Sequence, residues 1–250
     1  MCSLVFLKSA PRISSSTIHY SLFTFHSSFF SLLLNESEHR MSVSILYDTP
    51  ACLVAVKPFG ILSEDDGSPD STACMPGLLR AAGIPAVYPV HRLDRTTEGL
   101  MLWAKTREAA AILSAEVQSG AFAKVYRALI TASPDLPASG ELRDLLYFDR
   151  RRDKAFVVTG ERRGAKEAIL RYSLDDPFDW RGHAITPARV ELLTGRTHQI
   201  RVQFAARKSP LAGDGKYGSR LNYKGPALFC EELAFDWAGE RIHITLPQTE

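Results

Sequence analysis

From Ser42 onward the chain is a succession of short apolar runs: Cys52–Lys57, Leu100–Ala104, Val125–Thr131, Ala155–Thr159, Ala168–Ser173, Ala188–Leu193, Leu228–Phe235 and Ile242–Leu246. Many are set apart by Gly, Pro or Asp. Runs of this length and composition are strands, and turns of this kind between them call for an antiparallel or mixed sheet. One helix is plain, from Arg107 to about Ser119: Thr106 can cap its start, Ala109, Ile112, Leu113 and Val117 form an apolar face, and Gly120 can end it. A second helix is expected after Gly195, where Ile200, Phe204 and Ala205 recur at helical spacing and Thr197 sits near the first turn. A third is expected over Ala73–Ala82. No internal repeat or long linker interrupts residues 41–250, so the pattern predicts a single α+β domain.

Composition narrows the function. A chain of 250 residues with 45% apolar content can bury a sizeable core. No run approaches the roughly eighteen consecutive apolar residues of a membrane helix. Cys2, Cys52, Cys74 and Cys230 are scattered, without CxxC or metal-ligand spacing, which suggests a reducing compartment and no disulfide framework. The histidines form no HExxH-like cluster, and neither a P-loop nor a dinucleotide-binding glycine pattern occurs. No metal and no organic cofactor are expected. Residues 1–40 stand apart: they are Ser-rich and aromatic, with no acidic residue before Glu36. They resemble an organellar transit peptide, or arise from a start assigned upstream of Met41, and are expected to be a poorly ordered extension in both cases.

The chemistry concentrates in Val90-His91-Arg92-Leu93-Asp94-Arg95-Thr96-Thr97-Glu98-Gly99-Leu100. Asp94 lies in a turn between a short strand, Ala86–Val90, and the buried run Leu100–Ala104. A carboxylate at a strand end can be held rigidly while its oxygens face a cleft. Arg92 and Arg95 on either side are expected to keep it ionised, which suits a nucleophile better than an acid. An isolated Asp in a turn more often only caps the turn and pairs with Arg.

The rest of the chain decides between these readings. The Asp94 segment resembles the HRLDxxTSG segment of the RluA-type pseudouridine synthases. Lys124-Val125-Tyr126-Arg127-Ala128-Leu129 resembles their KxYxAL strand. Gly195-Arg196-Thr197-His198-Gln199-Ile200-Arg201 with Gly213-Asp214-Gly215-Lys216-Tyr217-Gly218 resembles their GRxHQIR and GDxxYG segments, and Val54-Ala55-Val56-Lys57-Pro58-Phe59-Gly60 their early VxxKPxG turn. The resemblance runs from about residue 45 to the C-terminus. It implies a catalytic domain over 41–250, built on one long, mixed but mainly antiparallel sheet with an RNA cleft across its middle. It also implies isomerisation of uridine to pseudouridine without a cofactor.

By the same resemblance Asp94 is the nucleophile, Tyr126 stacks on the flipped uracil or handles a proton, and Arg201 pairs with Asp94. Arg92 is a candidate to enter the RNA stack in place of the extruded base, since a planar cation can partly fill that gap. His91, His198 and Gln199 are expected to support the RNA-binding site through hydrogen bonds, with Arg196 beside them. Lys216 is a candidate phosphate contact, or a solvated turn residue. Net charge is only +2, so local clusters matter more: Arg150, Arg151, Arg152 and Lys154; Arg162, Arg163 and Lys166; Arg196, Arg201, Arg207 and Lys208. They could line a phosphate-tracking groove or form solvated surfaces.

Two positions depart from the family pattern. Glu98 stands where RluA-type relatives usually carry Ser or Cys, and Thr97-Glu98-Gly99 instead resembles the neighbouring RsuA-type branch; Gln203 stands where many relatives have a second His. Both weaken any assignment of the target. The expected partner is a structured RNA, tRNA or rRNA, with no membrane and no DNA. The protein is expected to act as a monomer, in the cytoplasm or, if residues 1–40 are a transit peptide, in an organelle. Two alternatives compete: an inactive RNA-binding module of the same fold, and a glycosidase-like hydrolase, whose paired carboxylates, about 5–9 Å apart, would be Asp94 and Glu98.

Overall fold

The computed structural model describes residues 43–68, 71–131, 136–160 and 162–247. The segment 1–40 lies outside the described residues. The strands are β1 (Ile45–Asp48), β2 (Cys52–Lys57), β3 (Tyr88–Pro89), β4 (Glu98–Ala104), β5 (Ala123–Thr131), β6 (Ser139–Asp149), β7 (Lys154–Val158), β8 (Lys166–Leu174), β9 (Phe178–Trp180), β10 (His183–Leu192), β11 (Leu228–Trp237) and β12 (Glu240–Thr245). The helices are α1 (Met75–Ala81), α2 (Arg107–Ser119) and α3 (Gln199–Ala206), followed by a 3-10 turn at Gly215–Tyr217. All the strands join one sheet in the order β1-β2-β4-β11-β5-β10-β8-β6-β7, with β3 on β4, β9 on β10 and β12 on β11. The sheet is mixed but mainly antiparallel: β4 and β11 are the parallel pair among the described strands. Among the described residues no helix is long and apolar enough to cross a membrane.

The expected α+β architecture is therefore observed, with local differences. Helix α2 spans Arg107–Ser119, its start capped by Thr106 Oγ1 accepting the Ala109 N–H at 3.1 Å and its end closed by Gly120 at φ 81°. Of its expected apolar face, Ala109 and Leu113 are buried but Ile112 is 56% exposed. Helix α1 is shorter than Ala73–Ala82 and starts with Pro76 in its first turn, where a missing N–H costs nothing. Helix α3 begins at Gln199, not just after Gly195. His198 before it takes a left-handed φ of 57°, and the Gln199 side chain turns back to accept the Arg196 N–H at 3.0 Å. The run Ala86–Val90 yields only two residues of strand.

Strand β6 escapes a reading by hydrophobic alternation because only Leu142 and Leu146 of its residues are buried. Charged residues fill its open face, where Arg143 bridges Glu141 and Glu167 and Arg171 reaches Glu141. Pairing with β8 and β7 holds it in the sheet. At the other end of the molecule, β4 is buried on both faces and reads as a continuous apolar run. Trp103, Leu100, Met101 and Leu102 form the centre of the core with Leu53, Leu113, Phe204 and Phe235.

Candidate active site

Asp94 lies between β3 and β4, in a turn closed by its own carbonyl accepting the Thr97 N–H at 2.9 Å. The residues around it are clamped from outside. Ser63 donates its hydroxyl to the Leu93 carbonyl at 2.6 Å and accepts the Leu93 N–H at 3.1 Å. The Arg95 carbonyl accepts the Gly60 N–H at 2.9 Å, and Arg95 Nε donates back to the Gly60 carbonyl at 2.8 Å. Lys57, fully buried at the end of β2, donates its ammonium to the carbonyls of Pro58, Ile61 and Arg95 at 2.9, 2.8 and 3.1 Å. Burial pulls its pKa down to about 8, against the raising effect of Glu98 and Asp94, so it is still mostly charged at neutral pH. Sequence reading quoted Lys57 in a motif but gave neither it nor Ser63 a role. The signal was there: a lysine that ends an apolar strand must find acceptors.

The two arginines next to Asp94 do not neutralise it. Arg92 turns out to Glu64 at 3.0 Å with its side chain largely exposed, and Arg95 bonds backbone. Side chains on a turn diverge, so sequence neighbours need not converge on one carboxylate. The groups that face Asp94 come from the α3 region: Arg201 Nη1 lies 3.5 Å and His198 Nε2 3.7 Å from its Oδ2. Arg201 is buried and held by a bidentate pair with Asp214, Nε to Oδ2 at 2.6 Å and Nη2 to Oδ1 at 2.9 Å. This fork fixes the guanidinium plane and leaves one nitrogen for Asp94.

His198 is aimed in a similar way. The Tyr217 hydroxyl accepts the Ala155 N–H at 2.8 Å, which leaves its own hydrogen for His198 Nδ1 at 2.9 Å. Burial raises the Tyr217 pKa to about 12, so that hydrogen is retained. Burial also lowers the His198 pKa, opposed by Asp94. A neutral imidazole accepting at Nδ1 carries its proton on Nε2, toward Asp94. Asp214 and Tyr217 are thus site residues that sequence reading quoted without assigning them. An arginine flanked by the apolar Ile200 and Val202 needed a carboxylate partner, and the quoted GDGKYG segment held one.

Tyr126 is buried on β5, within the field of Asp94 and opposite Cys230 of β11. Burial first, then Cys230 and Asp94, push its pKa well above 10. Two residues expected to serve RNA are instead internal. His91 is buried against Phe122, with ring centroids 5.1 Å apart, and its Nε2 accepts the Leu102 N–H at 3.1 Å. Burial pulls its pKa to about 3. Gln199 is buried and pins the loop before α3, accepting the Thr194 hydroxyl at 2.9 Å and donating to the Ile169 carbonyl at 3.1 Å. Both side chains lie inside the protein and bond to its own backbone or hydroxyls.

The remaining candidates lie at the surface. Arg196 donates to the Glu167 carbonyl at 2.9 Å. Lys216 pairs with Asp153 at 2.6 Å, while Lys154 donates to the Lys216 carbonyl, so the β6–β7 hairpin is docked on the turn that carries Tyr217. Arg150, Arg151 and Arg152 are exposed at the tip of that hairpin. Arg162, of the second basic group, lies 3.6 Å over the Tyr147 ring. The third group does not form a surface track: Arg201 is buried with Asp214, and Arg207 pairs with Asp144 at 2.7 Å. Glu98 is engaged by Lys224 at 2.7 Å, which makes it a poor second carboxylate for hydrolysis. Gln203 is buried, donating to Asp144 at 2.7 Å and to the Leu142 carbonyl. Asp65, Asp66 and Cys74 are the one group of potential metal ligands close together among the described residues, and Arg80 and Ser71 already engage the two carboxylates.

Residues 51–206 match the family described as RNA pseudouridylate synthase. The chain is 31% identical over 229 residues to ribosomal large subunit pseudouridine synthase D of Xanthomonas campestris, covering 83% of this chain and 66% of that protein. It is 34% identical over 188 residues to the protein of the same name from Pseudomonas aeruginosa, covering 72% and 55%. The chain therefore spans somewhat over half the length of these curated relatives. In fold it is similar to human RNA pseudouridylate synthase domain containing 1, with a TM-score of 0.71 and 20% identity over 84% of this chain and 86% of that one.

Proposed function

Because the chain belongs to the RNA pseudouridylate synthase family, we propose that it isomerises a uridine in a structured RNA to pseudouridine, with Asp94 as nucleophile. In this reaction the bond from uracil N1 to ribose C1′ breaks, uracil turns, and C5 joins C1′. The C5 hydrogen leaves and N1 gains a proton, so substrate and product have the same atoms and no co-substrate is required. The observation that carries the reading is the setting of Asp94: a clamped turn aims it at the Arg201–Asp214 fork and the His198–Tyr217 pair. A carboxylate held this way needs little reorganisation to attack. Tyr126 lies within its field and is proposed to contact the uracil.

A uridine in a helix must leave the stack to reach Asp94, at a cost on the order of a few kcal/mol. Arg92, exposed two residues before Asp94, is proposed to fill the gap. The arginine-tipped β6–β7 hairpin, docked beside Tyr217, is proposed to track RNA phosphates. Two similar proteins are named for the large ribosomal subunit, so rRNA of that subunit is the first substrate to try and tRNA the second. Large-subunit rRNA transcribed in vitro, and hence unmodified, is incubated with the protein, and pseudouridine is mapped chemically. The expected result is modification at a defined uridine by the wild type and none by Asp94→Asn, with RNA affinity largely kept. RNA binding without modification by the wild type would instead favour the inactive binding module.

A further inference from the structure

The strand that carries Tyr126 holds another group, for which the mechanism above has no use. Lys124 stands two residues before Tyr126 on β5, so both side chains leave the same face of the sheet. Pairing of β10 with β5 ends at Glu191 opposite Val125, so Lys124 lies just past the end of that pairing, where β10 has one residue left. There the chain leaves β10 and passes Gly195. A Cβ built on Gly195 would lie 3.5 Å from Lys124 Nζ and have no other neighbour within 4 Å. The bare glycine thus leaves an open space next to the ammonium.

Among the described residues this ammonium has neither a hydrogen-bond acceptor nor a carboxylate partner; its ring contact is Phe122, 5.7 Å away. The carboxylates on neighbouring β11 are engaged, Glu231 by Arg127 and Glu232 by Arg189. Cys230, the group that acts on it most directly, has its thiol pushed to about 12 by burial and stays neutral. Burial also pulls the Lys124 pKa down, which marks the cost of holding a charge there. A half-buried ammonium with three donors and no acceptor is unfavourable in the free protein. An oxyanion entering the space beside Gly195 would satisfy it, and every nucleotide of an RNA strand brings one.

We propose that Lys124 binds a phosphodiester of the RNA strand that carries the target uridine, in the space left open by Gly195. The assignment rests on the functional reading above. It also gives a use to a lysine at a half-buried position where an apolar residue would be more stable: the charge is matched only when RNA is bound.

The test uses a synthetic stem-loop RNA containing the uridine mapped in the rRNA experiment. Affinity is measured over a range of salt concentrations for wild type and Lys124→Met, and melting temperature is measured for both. Lys124→Met is expected to weaken binding and to make the slope of log affinity against log salt shallower by about 0.7–0.9, the value for one phosphate contact. Its melting temperature should equal or exceed that of the wild type. A neutral methylphosphonate at one phosphate near the uridine should abolish the difference between the proteins. An unchanged slope would overturn the assignment, and an unchanged slope with a lowered melting temperature would make Lys124 a structural lysine. A loss of affinity with no change of slope would point to a neutral acceptor such as a uracil carbonyl and would also overturn it. If the wild type modifies no uridine in the mapping experiment, the functional reading fails first and the phosphate site with it. If the wild type modifies RNA and the slopes coincide, only the Lys124 site fails.

Discussion

Arg201 gives two nitrogens to Asp214 and points a third at Asp94, so the aim of the guanidinium depends on a second, buried carboxylate. Asp214→Asn keeps the shape but leaves a buried cation without its counter-charge. Breaking a buried pair from one side typically costs about 3–5 kcal/mol. Urea unfolding should show a loss of that order, with a fall in turnover in the protein that still folds. A stability equal to wild type would mean that Asp214 does not hold Arg201. Tyr126 presents a different balance. Its hydroxyl keeps its proton across the neutral range, so in the proposed reaction it would start as a donor and not as a phenolate. Tyr126→Phe retains the ring and removes that donor. Turnover should drop by about 10²–10⁴-fold while RNA affinity is nearly unchanged, as single-turnover kinetics can show. Normal turnover would reduce Tyr126 to a stacking platform.

Strands β4 and β11 run parallel and very close at their shared start, where Phe229 and Cys230 oppose Glu98 and Gly99. Gly99 has a φ of 114°, and a Cβ on it would collide with the Cys230 backbone. This crossing sets where β4 leaves the Asp94 turn, and it holds Cys230 beside Tyr126 on the next strand. Gly99→Ala imposes both an unfavourable conformation and a clash with backbone that cannot rotate away. A loss of more than about 4 kcal/mol is expected, read as a protein that is unfolded or strongly shifted in thermal melting. A melting temperature near wild type would show that the strands can separate without harm. Helix α2 illustrates the opposite case. Its limits are local, set by the Thr106 cap and by Gly120, and they are legible without knowing the rest of the fold.

Over the whole molecule the buried neutral His91 ties stability to acid pH. Its folded pKa is lowered to about 3 from an ordinary 6.5. Between these values the unfolded chain binds a proton that the folded one does not, so stability present above pH 6.5 is lost as pH falls toward 3. The slope from this one group approaches about 1.4 kcal/mol per pH unit. Urea unfolding at pH 7 and pH 5 should show a steeper acid loss for wild type than for His91→Gln, and equal losses would rule the group out. Sequence alone specified the α+β class, most strands, α2 and the turn that carries Asp94, because alternation, caps and turn residues act between neighbours. It also brought Asp94, Tyr126 and Arg201 together through their motifs. It could not show β6, whose place rests on pairing and on cross-strand charges rather than on a buried face. Nor could it show that His91 and Gln199 point inward, that Lys57 grips the Asp94 turn, or that Arg201 and His198, rather than Arg92 and Arg95, face the carboxylate. Those outcomes were left to the tertiary structure. A carboxylate interacts with whichever cation the sheet brings within a few ångström, and side chains adjacent on a turn point apart.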